Sequence, residues 1–516
     1  MEQERTQAAT KRARPSPPPQ DRSAGTEDRL SALDDAILHA ILAHVPLRDA
    51  AATAALSRRW PRVFATLPRL ILRPATFNRR GFPDEGDEYN CEDPQRWMAA
   101  LLHVLDGREA PVKAVEIDSR FMGANRDRFY KVFCELCERD GLLEPGAKPA
   151  KNGIGIRPCL ELGIANTNYS NTDCYTLPST VYACTTLASL DLYNCRLRLP
   201  KNFPGMRALR SLRLRNVTAT DADLSTLIKR CKGMQDLKFH HVHKARKIVI
   251  SAPCLKKLEI YSYRPLCISM KKAPPLEMVR LSLSYGYPEH FWSLYDTKDL
   301  DKDCLIHEMV EMLDYRKMAE REHKQTNEVE NMMTFLCGLS STKKLWLHLS
   351  TEYSEVVSMA KALMLKSLPK KSYLHELKSL SLTLDHDHEV LATLVSCLLN
   401  SSPNLKELRM IELPESPVPL PVEFWEGKIN ADGFLNHLSS VTFETVSLFE
   451  GHPCKGICKF LVMNARVLKR MSIEYHHSQV KPEHAAMLEA ARKELQLWPR
   501  ASVDVLLELT AVDSFF

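Results

Sequence analysis

Cysteine and histidine pairs are the residues of this chain whose spacing could support metal binding or redox chemistry. Cys134 and Cys137 have the spacing of zinc and dithiol motifs, but they lie in a run of helical character without a second pair. His452, Cys454 and Cys458 could supply three ligands, yet Cys458 enters an apolar helical segment. We therefore favour structural roles for these residues, with metal binding as the weaker alternative.

Two groups of histidines lie beside predicted strands. They are His240, His241 and His243, and further along the chain His386 and His388. Because alternate residues of a strand share a face, each place offers two imidazoles, which is too few for a closed zinc site. We interpret them as solvated loop histidines, and we expect the protein to use no cofactor.

Catalytic motifs are missing from the sequence. We find no nucleophile-elbow, paired-metal or kinase pattern, and 18 glycines are few for an enzyme built on glycine-rich phosphate loops. These observations favour a binding protein without catalytic activity of its own.

Basic and aromatic side chains form a second set of candidate functional residues, which could bind a partner. They alternate with leucines, and the set is Arg213, Arg215, Lys238, Tyr261, Arg280 and Trp346. Arginine, tyrosine and tryptophan are enriched at binding hot spots, and guanidinium groups bind carboxylates and phosphates. Our hypothesis is a surface for an acidic or phosphorylated protein segment. The alternative is ordinary solvated strand surface.

The leucines that position these side chains recur as Leu-x-x-Leu-x-Leu, with apolar substitutes, about every 21 to 25 residues. The last two apolar positions of a unit lie on the inner face of a short strand, and stacking joins the units into one core. Several units carry an asparagine after the strand, such as Asn194 and Asn216, where the chain turns. A charged insert at 285–342 is expected to form a helix or loop on the rim.

A short helical segment precedes the repeats. Ile37, Leu38, Ile41 and Leu42 recur at helical spacing, and Pro46 ends that helix. A second segment follows at 50–55. Ser57 is the predicted N-cap of a third helix that contains Trp60, Val63, Phe64 and Leu67, with Pro61 in its first turn. Helices this short cannot fold alone, so they must pack on the chain or on a partner.

This N-terminal segment resembles the plant F-box over about 28–70. The match is sharpest at 56–60, which read Leu-Ser-Arg-Arg-Trp, whereas Asp34 stands where the family usually has proline. The resemblance implies a Skp-type adaptor as partner and, through it, a cullin scaffold of a ubiquitin ligase. The implied adaptor-binding residues are Leu33, Ile37, Leu38, Ile41, Leu42, Pro46, Leu56, Ser57 and Trp60.

The C-terminal part is similar to the FBD domain of plant F-box proteins. The motif at 460–471 carries the family's apolar pattern around Asn464, Ala465 and Leu468, and 498–502 resembles its ending. The stretch reads as strand, helix and strand, so it is expected to cap the open end of the repeats.

Composition limits the cellular setting. The net charge is +6, the basic residues are spread out, no apolar run could span a membrane, and no secretory signal follows the N-terminus. We expect no nucleic-acid or membrane partner. With 15 cysteines and no export signal, reduced thiols in the cytoplasm or nucleus are expected.

The predicted fold is α/β: a three-helix F-box, then an irregular leucine-rich-repeat solenoid, then an FBD-type cap. The predicted boundaries are 1–27 for a disordered tail, 28–70 for the F-box, 71–430 for the repeats and 431–516 for the cap. The predicted function is substrate recognition in a Skp–cullin–F-box ubiquitin ligase. The alternative is a scaffold that has lost ligase attachment, which the missing proline at Asp34 motivates.

Overall fold

A computed structural model shows one long sheet flanked by short helices. It describes residues 30, 33–45, 47–72, 114–118, 160–165, 175–177, 179–183, 187–262, 266–271, 274–283, 328–350, 367–412, 419–430, 433–445, 455–476 and 485–512. The predicted tail at 1–27, Pro46, the pair Cys134 and Cys137, and residues His452 and Cys454 lie outside the described residues. So does the charged insert before residue 328.

Parallel strands form the main sheet. Fourteen of them follow one another in chain order. These strands are β1 (Arg69–Leu72), β2 (Ala114–Asp118), β3 (Leu160–Ala165), β5 (Leu187–Tyr193), β7 (Ser211–Thr218), β8 (Asp236–His243), β10 (Lys257–Ser262), β12 (Met278–Leu283), β13 (Lys344–Leu349), β14 (Ser379–Leu384), β15 (Glu407–Glu412), β16 (Ser440–Thr445), β17 (Arg470–His476) and β18 (Leu506–Val512). The short β4 (Tyr175–Thr176) and β6 (Cys195–Arg196) pair beside this path, and β9 (Lys247–Ile250) pairs with β11 (Cys267–Met270) in a second sheet.

The repeated apolar positions build the core. In one unit Leu187, Leu190 and Leu192 are buried, and in the next unit Leu212 and Leu214 lie beside Leu190 and Leu192 in register and are fully buried. Each buried leucine contributes about 1.5–3 kcal/mol, so neighbouring strands stabilise one another. The predicted α/β class with leucine-rich repeats is confirmed.

The helices are short and lie between strands. They are α1 (Asp35–Leu42), α2 (Leu47–Ala52), α3 (Trp60–Ala65), α4 (Ser179–Ala183), α5 (Asp221–Arg230), α6 (Glu328–Cys337), α7 (Glu389–Asn400), α8 (Val422–Lys428), α9 (Lys455–Asn464) and α10 (Ala485–Leu497). Within the described part of the chain, no helix is long and apolar enough to cross a membrane.

Three residues at equivalent places in successive repeats have left-handed backbone. Asn194 and Asn216 have φ of 52° and 53°, and His241 has φ of 56° at the equivalent place in the next repeat. Asparagine and histidine tolerate this conformation better than most side chains. Asn194 directly follows β5, as predicted, whereas Asn216 lies inside β7 and His241 inside β8, so these two residues do not end their strands.

The N-terminal helices differ in detail from the sequence-based expectation. The second segment begins at Leu47 rather than at residue 50, and a 3₁₀ turn, Thr53–Ala55, completes it. Ser57 is not the N-cap of α3: Arg59 occupies that position, and its backbone N–H lies 3.4 Å from the Ser57 hydroxyl that accepts it. The helix begins later than the sequence predicts, because residues 58 and 59 still form a turn.

The described end of the charged insert is part of the core rather than the rim. Residues 328–337 form α6, whose Met332, Phe335 and Leu336 side chains are buried. This helix packs against β11, where the Cys267 thiol donates to the Asn331 amide oxygen at 3.3 Å.

The C-terminal part continues the main sheet. Strand β16, helix α9 and strand β17 follow the expected order, and α10 and β18 add a further helix and strand. All of these strands pair in parallel without a register shift.

Candidate interaction surfaces

Strand register gathers the six predicted target-binding residues on one face of the main sheet. Arg213, Lys238, Arg280 and Trp346 lie in one row across β7, β8, β12 and β13, with Glu259 of β10 between Lys238 and Arg280. Arg215 and Tyr261 lie in the adjacent row, with His240 between them. We call these two rows the outer face.

Asp191 holds the two arginines. Arg213 Nη1 donates to Asp191 Oδ2 at 3.1 Å, and Arg215 Nε donates to Oδ1 at 3.3 Å. The arginine side chains remain 44% and 43% exposed. Because each guanidinium carries five N–H groups, both keep donors for an external anion.

Lys238 is more deeply engaged than the arginines. Its ammonium donates to Glu259 Oε1 at 2.9 Å, and the Glu259 side chain is almost fully buried. Burial also raises the pKa of neighbouring Asp236. Lys238 therefore neutralises a carboxylate inside the protein, so it contributes less than the arginines to binding an external group.

Aromatic rings alternate with cations along the outer face. The Arg215 guanidinium lies over the Tyr193 ring at 5.4 Å from its centroid, and the His240 and Tyr261 rings are 4.3 Å apart. The Arg215 contact is favourable because the face of an aromatic ring carries negative potential, and the His240–Tyr261 contact is a packing of two rings.

Arg280 extends this arrangement to the next strand. Its Nη1 donates to the Tyr261 hydroxyl at 3.2 Å, and its guanidinium lies 5.0 Å from the centre of the Trp346 ring. We define the aromatic–cation ladder as Tyr193, Arg215, His240, Tyr261, Arg280 and Trp346. Tyr193 and His240 were not among the predicted target-binding residues, and the strand register shows that they complete this ladder.

The histidines are less solvated than the sequence suggested. Burial lowers the pKa of His240 to about 4 and that of His241 to about 2. His386 is almost fully buried, and its ring lies 5.9 Å from that of Phe443. Interpreting these three residues as solvated loop histidines was therefore wrong, because His240 and His241 are half-buried residues of β8 and His386 is buried.

Metal ligands do not converge in the part of the chain that the structure describes. No group of three or more histidine, cysteine or carboxylate side chains there could hold an ion. Cys458 is buried in α9 among apolar side chains, which is a structural position.

The described members of the predicted adaptor-binding set fall into three groups by exposure. Leu38, Leu42 and Trp60 are buried and hold the helices together. Leu33 and Ser57 are half-buried. Ile37, Ile41 and Leu56 are 47%, 39% and 61% exposed. We call these last three side chains the exposed apolar trio.

Polar contacts join α1 to α3. Arg59 Nε donates to Asp35 Oδ1 at 3.0 Å, and this hydrogen bond lowers the pKa of Asp35. His39 Nε2 lies 3.1 Å from both the Val63 carbonyl oxygen and the Thr66 hydroxyl. These links fix α1, which carries Ile37 and Ile41, against α3.

Known proteins match both the repeats and the longer chain. A family model described as the LRR repeats of FBD-associated F-box protein At5g56370 matches residues 158–292. F-box/FBD/LRR-repeat protein At2g04230 of Arabidopsis thaliana is 25% identical over 94% of this chain and 98% of its own length.

Two further relatives from the same organism give similar values. F-box/FBD/LRR-repeat protein At1g78750 is 23% identical, covering 92% of this chain and 94% of the relative. F-box/FBD/LRR-repeat protein At1g13570 is 23% identical, covering 92% and 96%. The predicted resemblance is confirmed over most of the chain, at low identity.

Proposed function

Because this chain is similar to plant F-box/FBD/LRR-repeat proteins over most of its length, we propose that it is a substrate-recognition subunit of a Skp–cullin–F-box ubiquitin ligase. Its N-terminal helices bind a Skp-type adaptor, which joins the chain to a cullin. The repeat solenoid binds a target protein in the cytoplasm or nucleus. The chain needs no catalytic group, because tethering raises the effective concentration of the target near the ubiquitin carrier.

The observation that carries this proposal is the exposed apolar trio. Three large aliphatic side chains on a small helical unit remain accessible to solvent although the same unit buries Leu38, Leu42 and Trp60. Ile37 and Ile41 are four residues apart on α1, so they lie on the same helix face. An adaptor that covers this face would gain apolar burial without disturbing the interior of the unit.

The test replaces exposed residues and leaves buried ones intact. We expect Ile37→Glu with Ile41→Glu to weaken binding to a purified Skp-type adaptor at least about tenfold, because it places charges in an apolar contact. Circular dichroism and thermal melting should show an unchanged fold. The matched control is Val467→Glu, which changes a side chain of similar exposure near the other end of the sheet.

Adaptor binding that survives the double substitution would contradict the proposal. An unmodified chain that binds no adaptor would instead favour a scaffold without ligase attachment. Asp34 motivates that alternative, because it stands at the N-cap of α1 where the plant F-box usually has proline.

The outer face is the proposed target-binding surface. Arg213 and Arg215 share a single carboxylate, so the pair carries one uncompensated positive charge and exposed donors. The aromatic–cation ladder adds ring faces beside these cations. This combination supports recognition of an acidic or phosphorylated protein segment.

A further inference from the structure

Among the described strands, none pairs with the outer edge of β18 at the end of the main sheet. It is the last strand in the order of the described chain. The Leu506 N–H donates to the Lys469 carbonyl at 2.9 Å, so the backbone groups of Leu506 point toward β17. In a parallel strand, the N–H and C=O groups of every second residue point toward the same neighbouring strand. Three residues of β18 therefore direct their backbone groups away from the sheet. These residues are Leu507, Leu509 and Ala511.

The two ends of the sheet differ in how their edges are protected. Strand β1 has four residues, begins with Arg69, and packs against α2. Strand β18 has seven residues, contains no lysine, arginine or proline, and has Glu508, which pairs with Arg470 of β17, as its one charged side chain. Native sheets usually protect an edge with such residues or with a covering element, because an open edge pairs readily with another strand.

Exposed apolar side chains accompany this edge. Leu497 at the end of α10, Val503 in the following turn and Leu506 in β18 are 83%, 94% and 54% exposed. Helix α10 packs against β18, so these side chains belong to the same end of the molecule. This end therefore combines open backbone groups with unburied apolar surface.

We propose that β18 pairs in antiparallel orientation with β18 of a second copy of this chain, about a two-fold axis at Leu509. Leu509 is the middle residue of β18, so this axis lets all seven residues overlap. It places Leu507 opposite the partner's Ala511 and Leu509 opposite the partner's Leu509. All of these residues direct their N–H and C=O groups outward, which is the arrangement that a hydrogen-bonded antiparallel pair requires.

The side chains also match across this axis. On the outer face, Leu506 lies opposite the partner's Val512, and Glu508 lies opposite the partner's Thr510. On the other face, the half-buried Leu507 and the buried Leu509 continue the core across the contact. An axis at Glu508 would instead set two carboxylates against each other, which is destabilising. The charge pattern therefore selects the register centred on Leu509.

The test is the association state of the full-length protein, measured by sedimentation velocity over a wide range of concentration. A reversible dimer is expected for the unmodified chain. Thr510→Glu places a carboxylate opposite Glu508 twice in each dimer and should raise the dimer dissociation constant about tenfold. Thr510→Lys places an ammonium there and should lower the constant by a similar factor.

The opposite direction of these two effects is the decisive result. Both variants lose the same contact, in which the Thr510 and Ser472 hydroxyls are 3.3 Å apart, so loss of the hydroxyl cannot explain opposite shifts. Thr442→Glu and Thr442→Lys make the same changes on the interior strand β16 and should leave dimerisation unchanged. A chain that stays monomeric at every concentration, or equal shifts for both Thr510 variants, would overturn the proposal. This inference does not depend on the ligase function.

Discussion

At the residue scale, Glu444 is the charged group whose environment is most unusual among the described residues of the outer face. Its side chain is fully buried on β16, and Arg409 of β15 donates a hydrogen bond to it. Its other carboxylate oxygen, Oε2, has no hydrogen-bond partner among the described residues. Burial raises the pKa of Glu444 above its ordinary value of 4.5, the Arg409 contact opposes this shift, and the charge of Glu474 adds to it.

The raised pKa gives Glu444 a defined effect on stability. The folded state holds the proton at a pH where the unfolded state has released it, so the free energy of unfolding falls as the pH rises through this interval. Glu444→Gln keeps the shape and removes the titration. We expect the variant to be at least as stable as the unmodified chain at neutral pH.

The measurement is denaturant unfolding at several pH values from 4.5 upward. Between that value and neutral pH, the difference in stability between the variant and the unmodified chain should grow. Arg409 is about half exposed, so water can solvate it when the carboxylate is gone. A variant that loses stability at neutral pH would show that the ion pair outweighs the burial of the charge.

At the element scale, helix α5 shows a capping interaction that the sequence analysis did not find. Thr220 is its N-cap: the hydroxyl accepts the Asp223 backbone N–H at 3.1 Å and donates to the Asp223 carboxylate at 2.7 Å. The capping pattern of Ser57 looked equally good in sequence, but that side chain lies two positions before the true cap of α3. A serine or threonine acts as an N-cap only when the helix begins at the residue directly after it.

Thr220→Ala should therefore lower the free energy of unfolding by about 1 kcal/mol, since it leaves an N-terminal N–H of α5 without its acceptor. Ser57→Ala is the matched control and should change stability by less than about 0.5 kcal/mol. Chemical denaturation of the two variants provides the comparison. Equal losses would mean that the Ser57 hydroxyl stabilises the turn before α3 as strongly as a true cap.

Helix α1 shows why the sequence could identify an apolar helix but not its inward face. Ile37, Leu38, Ile41 and Leu42 form two adjacent apolar stripes, and periodicity alone does not say which one packs inward. In the structure the two leucines face the protein and the two isoleucines face solvent. The packing of α1 against α3 makes this choice, and that contact is not local in sequence.

At the scale of the whole molecule, the repeats were predictable and their registration was not. The alternation of leucines with polar residues correctly placed the predicted target-binding residues on one face. Repeat lengths vary, however, so the sequence could not show that Asp191 would meet Arg213 and Arg215 or that Glu259 would meet Lys238. Both contacts reduce the positive charge of the outer face. They therefore determine which substitutions can test whether this face binds a target.

Neutralising the arginines is the appropriate test of target capture. Reversal of both arginines to glutamate would place two new carboxylates beside that of Asp191. A loss of target capture could then reflect repulsion among these three groups. Arg213→Gln with Arg215→Gln removes charge at constant size. Proximity labelling in cells, with and without proteasome inhibition, should then show at least about tenfold less of the captured target.

Arg470→Gln is the control for this pair, because Arg470 is a similarly exposed arginine that contacts Glu508 near the end of the sheet. Adaptor binding should persist in both variants, which separates target capture from ligase attachment. Unchanged labelling of the target by the double variant would place the binding surface elsewhere on the repeats.

The junction between α3 and β1 has a consequence for how a captured target would be modified. Only residues 66–68 separate the helix from the strand, Leu67 is buried, and the Pro68 carbonyl accepts the Ala114 N–H at 3.1 Å. Because this connection is short and anchored, α3 has little freedom to rotate relative to β1. In the proposed ligase, the adaptor would therefore keep a fixed orientation relative to the first strand. The position of a lysine on the surface of the target, rather than the residues beside it in sequence, would then decide whether that lysine receives ubiquitin.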